Sequence, residues 1–166
     1  ALFMDTIYGP TRDFAEKILT KMGVEVEFFD PYIGAAIEEK FKSNTTLLVM
    51  ETPGSHSFEL PDVPAIAAKC KEHGVWSVID NTWATPLYFK PLAVGVDVVV
   101  HAATKYIAGH SDILMGVVCC NEKAWPKVFD AVTTMGQTAT PDDVYVAYRG
   151  LHTMKARIEA AFENAK

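Results

Sequence analysis

Cysteine is scarce in this chain of 166 residues, with only Cys70, Cys119 and Cys120 present. They show no C-x-x-C spacing and no metal-ligand pattern, which sets aside zinc ribbons and disulfide scaffolds and leaves no metal site expected. Adjacent Cys119 and Cys120 point to opposite faces if they lie in a strand, so no mutual disulfide is expected. Free thiols fit a reducing cytosol, and a cytoplasmic protein is the expectation. Positive charge is short as well. Fifteen Lys and Arg stand against 21 Asp and Glu, a net charge of -6, so there is no basic footprint for nucleic acid. No run approaches the roughly 18 apolar residues of a membrane span. The best stretch, residues 94–103, is broken by Gly95, Asp97 and His101. The opening ALFMDTIYGP has no basic segment ahead of an apolar core and does not read as a signal peptide. The chain does not open with Met and closes inside a helical pattern, so both ends read as cuts in a longer protein. Internal repeats and low-complexity tracts are missing too.

What is present is an ordinary globular composition, 49% hydrophobic and 22% charged, enough for one domain with a buried core. Residues 11–22 read as a helix with Thr11 as N-cap, apolar Phe14, Ile18, Leu19 and Met22 at helical spacing, and Gly23 as the stop. Residues 24–29, 45–50, 75–79, 96–100 and 117–120 read as strands. Helices are expected over about 35–42, 62–73, the stretch after Asn121, 141–148, and 151–165, with Gly150 interrupting the last two. Met115, Trp125 and Phe129 are assigned to the core. Helices thus alternate with apolar strands, which predicts an α/β fold: a mostly parallel mixed sheet with helices on both faces. Ligands of such sheets bind at the carboxyl ends of the strands. Asp80 ends one predicted strand, and Lys105 follows another by a few residues.

The most informative stretch is SVIDNTWATPLYFKPLAVGVDVVVHAATKYIAGHSDILMG, residues 77–116. Its pieces V-I-D-N-T-W-A (78–84) and A-T-K-Y-x-x-G-H-S-D (103–112), with Tyr8-Gly9-Pro10-Thr11 and the Arg149-Gly150-Leu151 turn, resemble the Cys/Met metabolism family of pyridoxal-phosphate (PLP) enzymes. The likeness runs in one collinear register over nearly the whole chain. It implies the large domain of an aspartate-aminotransferase-type, PLP-dependent transferase-like fold. Residues 1–150 would be the cofactor-binding core and 151–166 the start of a linker helix towards a C-terminal domain.

The resemblance also assigns roles. Lys105 stands where the family places the lysine that holds the cofactor's aldehyde and takes the substrate's Cα proton; Thr-Lys-Tyr alone would read as a solvated surface lysine. Asp80 stands where a carboxylate keeps the pyridine nitrogen protonated, the effect of an opposite charge on a pKa. Tyr8 matches the tyrosine that stacks on the ring and handles protons near the substrate, a contact worth about 0.5–1.5 kcal/mol beyond burial. Thr104 is the expected hydroxyl donor to the phosphate, and Ala102 stands where many relatives have a second hydroxyl. In E-T-P-G-S-H, Ser55 occupies the place of an asparagine that contacts the cofactor's phenolic oxygen. Trp83 is expected to border the substrate pocket. His101 and His110 are read as structural, and residues 109–112 as a turn supporting the lysine loop.

E-T-P-G-S followed by Phe58-Glu59, together with D-N-T-W-A, resembles the bacterial β-lyase branch more than the γ-acting ones. The implied activity is β-elimination from L-cystathionine; the alternatives are γ-synthesis, γ-elimination or sulfhydrylation on the same cofactor, or a non-catalytic fragment. The resemblance further implies a homo-oligomer, a dimer of dimers with shared sites. An N-terminal arm and a C-terminal arginine outside these residues would complete each site, so the 166 residues alone are expected to be inactive and to associate.

Overall fold

A computed structural model describes residues 1–166. Six strands form one sheet: β1 (Leu2–Met4), β2 (Glu27–Phe29), β3 (Leu47–Glu51), β4 (Trp76–Asp80), β5 (Val98–Ala102) and β6 (Gly116–Cys120), in the order β2-β1-β3-β4-β5-β6. The first five are mutually parallel and β6 runs antiparallel to β5 at the edge. The mostly parallel mixed sheet is therefore as expected. β1 is not among the expected strands: three apolar residues are too few to show a period. It nevertheless sits between β2 and β3: Leu2, Phe3 and Met4 are all buried and pair with β2, and Leu2 and Phe3 pair with β3 as well.

Strand pleating sorts the core. Leu2, Met4, Leu48, Met50, Ile79 and Val99 point to one face. There they meet Val63, Ile66, Ala67 and Cys70 of helix α2 (Val63–His73) and Ile37 of a 3-10 stretch at Gly34–Lys40. Each such fully buried aliphatic side chain contributes about 1.5–3 kcal/mol. The sequence around α2 dictates its ends. Asp62 accepts the Ala65 N–H at 3.1 Å as N-cap, and Gly74 closes the helix at φ 70°. Phe3 and Val49 point to the opposite face and pack with Ile7, Ala15 and Leu19.

Those last residues belong to the first helical run, which departs from expectation at its start. Helix α1 (Gly9–Phe14) begins at Tyr8 as N-cap, not Thr11, because Pro10 lacks an N–H and suits the first turn. It continues as a π-helical turn at Ala15–Leu19 and a 3-10 turn at Thr20–Met22 before Gly23 stops it at φ 84°.

After the short helix α3 (Thr85–Tyr88) and β6 come α4 (Trp125–Thr134), α5 (Pro141–Leu151) and α6 (Met154–Asn164). Trp125 and Phe129 are not core residues. They are 56% and 52% exposed and pack on each other along an uncovered face of α4, while Met115 is half-buried as a core neighbour. Nor does Gly150 interrupt the helix. It lies inside α5, and the break falls at His152 and Thr153.

The glycine is required for close packing on the segment that carries Lys105. A Cβ on Gly150 would overlap the Ile107 carbonyl oxygen and lie 2.6 Å from that of Ala108. Both obstacles are backbone and cannot swing aside. Gly150→Ala is therefore expected to destabilise the fold by about 3 kcal/mol despite its better helix propensity. A chemical-denaturation midpoint equal to the parent's would refute this.

Candidate active site

Parallel strands bring their carboxyl ends to one edge of the sheet, and the register is explicit there. Glu51 is opposite Asp80, and Asp80 is opposite Val100. The turns that leave β1, β3, β4 and β5 therefore carry Tyr8, Ser55, Asp80 and Lys105 to the same end.

Asp80 is half-buried and firmly held. Its Oδ1 accepts the Thr82 N–H at 2.9 Å and the Thr82 hydroxyl at 2.5 Å, an Asx-type turn that closes the strand. Both bonds fall on Oδ1 and leave Oδ2 open. The Thr82 hydroxyl also accepts the Ala102 N–H at 2.8 Å, tying the Asp80 turn to the end of β5. Behind Asp80, His101 is buried, and burial holds its pKa below the usual histidine value, so it stays neutral and structural.

Lys105 is exposed while its backbone is fixed. Its N–H donates to Ala102 at 3.0 Å and its C=O accepts from Gly109 at 2.8 Å. Arg157 of α6 braces the loop from below. One guanidinium nitrogen donates to the carbonyls of Gly150 (2.8 Å) and Ile107 (3.2 Å), and Nε donates to the Thr153 hydroxyl at 3.1 Å. Gly109, at φ 84°, lies against that guanidinium with no room for a Cβ. The turn at residues 109–112 thus supports the lysine loop.

Tyr8 is 50% exposed, and its backbone N–H donates to Glu51 Oε2 at 2.7 Å. The Ser55 hydroxyl donates to Glu51 Oε1 at 2.6 Å, so it is committed to a carboxylate. The Thr104 hydroxyl accepts the Met115 N–H at 2.9 Å and donates to the Met115 carbonyl over a long 3.3 Å. Trp83 does not join this cluster through its ring. It packs edge-on against Phe58 and Tyr106 at 5.2 and 6.4 Å and lines an apolar groove of about 510 Å³ with Leu60, Tyr88, Phe89 and Phe162.

Glu51, Thr82 and Arg157 were not singled out in the sequence. Glu51 had a signal, a carboxylate closing an apolar run, T-L-L-V-M-E. Thr82 lies within D-N-T-W-A, but its bond to β5 is a long-range contact that no local pattern shows. Burial pushes the Glu51 carboxyl above the usual glutamate range, helped by the neighbouring Asp80 charge and opposed by the Ser55 and Tyr8 hydrogen bonds.

A carboxylate with one open oxygen, an accessible amine and a half-exposed aromatic residue thus follow strands at the same end of the sheet. The model of the Cys/Met metabolism PLP-dependent enzyme family matches residues 1–166. The chain belongs to this family. Cystathionine beta-lyase MetC of Escherichia coli is 41% identical over 99% of the chain, which covers 42% of that protein. The L-alanine/L-glutamate racemase of Wolbachia pipientis is 43% identical over 95% of the chain and is covered to 39%. Among solved structures, a cystathionine gamma-lyase from Lactobacillus plantarum complexed with L-serine superposes with a TM-score of 0.88 at 30% identity, over 93% of this chain and 41% of that one. The chain spans about two-fifths of the length of the relatives it matches. The fold is thus that of the large domain of PLP-dependent family members. Its cofactor is pyridoxal phosphate, and the open Asp80 Oδ2 and exposed Lys105 fit it.

Proposed function

We propose that the protein to which this chain belongs is a carbon–sulfur lyase that splits L-cystathionine and water into L-homocysteine, pyruvate and ammonia, a step of methionine biosynthesis. The reading rests on Lys105, Asp80 and Tyr8 all following strands at the carboxyl end of one sheet, each with a free functional group. The name of the Escherichia coli relative supports the choice of substrate.

Each residue has a task in this reading. Lys105 Nζ would hold the cofactor's aldehyde carbon and would accept the proton from the substrate's Cα. Bound pyridoxal phosphate supplies an electron-accepting ring beside that carbon. Asp80 presents Oδ2 to the pyridinium nitrogen, and Thr82 keeps the carboxylate from turning. Tyr8 covers one ring face and moves protons near the leaving sulfur. Thr104 would be the hydroxyl facing the phosphate, and Ser55 would face the phenolic oxygen while its hydroxyl stays bonded to Glu51. Trp83, against Tyr106 beside the lysine, walls the substrate side.

No helix is long and apolar enough to cross a membrane. The three free cysteines support a cytoplasmic setting. Exposed Trp125, Phe129 and Val132 on α4 and Met135 at its C-cap, with Tyr145 and Tyr148 on α5, support a homo-oligomer, a dimer of dimers. Residues 1–150 would form the cofactor core and 151–166 would lead towards a further domain. The 166 residues alone are then inactive and prone to associate.

The racemase relative favours a second reading, since racemisation needs the same removal of the Cα proton without loss of a leaving group. Product analysis on the full-length enzyme separates the cases. Pyruvate with homocysteine is expected from cystathionine. 2-Oxobutyrate with cysteine would mean γ-cleavage, and D-alanine from L-alanine without cystathionine turnover would mean a racemase.

A further inference from the structure

Glu51 is 6% exposed at the carboxyl end of β3, directly opposite Asp80 in the register. Burying a carboxylate beside a second one is costly, and the fold gains no ion pair there in return. Its two oxygens instead take donors from two different turns: Oε2 from the backbone of Tyr8, the N-cap of α1, and Oε1 from the hydroxyl of Ser55. The charges that bear on it are those of Asp80 and His56. A side chain that serves packing alone would be apolar or neutral at this place.

We infer that Glu51 is a positioning residue of the cofactor site, clamping the Tyr8 turn and the Ser55 turn so that the Tyr8 ring lies flat over the bound cofactor. The inference rests on the proposed roles of Tyr8 and Asp80 and adds the group that sets their geometry. Glutamate suits the task because both partners are donors and a carboxylate accepts two hydrogen bonds at once. Glutamine has one acceptor oxygen, so one of the two turns must reverse its hydrogen bond or release it.

The test uses the full-length protein with pyridoxal phosphate titrated back into the cofactor-free form. Glu51→Gln is expected to raise the cofactor's Kd roughly five- to tenfold, the scale of a misplaced aromatic stack. Its Tm in the cofactor-free form should hold or rise, because the amide removes a buried charge. In a Tyr8→Ala background, which has no ring to position, Glu51→Gln should change Kd by less than about twofold. An equal rise in Kd in both backgrounds, an unchanged Kd in the parent background, or a loss of affinity that follows a falling Tm would each overturn the inference. Cofactor affinity is read without any substrate. A protein that binds the cofactor but does not cleave cystathionine therefore refutes the substrate reading alone. One that binds no cofactor refutes both.

Discussion

Lys105→Ala in the full-length protein is expected to lose cystathionine turnover by about 10³-fold or more while still binding pyridoxal phosphate weakly. The loss is large because one amine serves two steps. In the proposed reading it would both anchor the cofactor and take the Cα proton, and no other lysine shares its loop, residues 103–115. The structure favours a selective effect. Lys105 is exposed, and its loop is held by backbone bonds to Ala102 and Gly109 and by the Arg157 brace, so truncating the side chain leaves the loop intact. Borohydride treatment of the parent protein should fix a pyridoxyl group on the peptide containing Lys105. A label on any other lysine sinks the assignment.

Asp80→Asn tests charge at constant shape. The amide oxygen can still accept the two Thr82 hydrogen bonds, so the turn and its link to Ala102 survive. The negative charge at the open oxygen does not. That charge matters most when electrons move into the ring, so turnover should fall about 10²- to 10³-fold with a much smaller change in cofactor affinity. Near-native turnover in a variant saturated with cofactor would show that Asp80 is not the partner of the pyridine nitrogen. Glu51 cannot substitute for it, because both of its oxygens already accept hydrogen bonds.

The two effects have different structural roots. Lys105 has a free side chain, whereas the Asp80 carboxylate is restrained. Thr82 supplies that restraint and connects the two, since its hydroxyl spans from the Asp80 carboxylate to the backbone three residues before Lys105.

The amino-acid sequence by itself determined the class of fold and pointed to a candidate site. Mainly apolar runs within residues 45–50 and 96–100 and helices ended by Gly23 and Gly74 are local signals, set by hydration and backbone sterics. The motifs around Asp80 and Lys105 are contiguous, so they too are legible along the chain. Tertiary structure decided what depends on distant partners. β1 exists because its three residues are buried and held between two neighbouring strands. Trp125 and Phe129 look like core residues by type, yet α4 presents them to solvent. Gly150 reads as a helix break but is a contact point, because Ile107 and Ala108 arrive from more than forty residues away in the chain. Glu51 gains its significance in the same way: its partners leave two separate strands and meet only when the sheet is assembled.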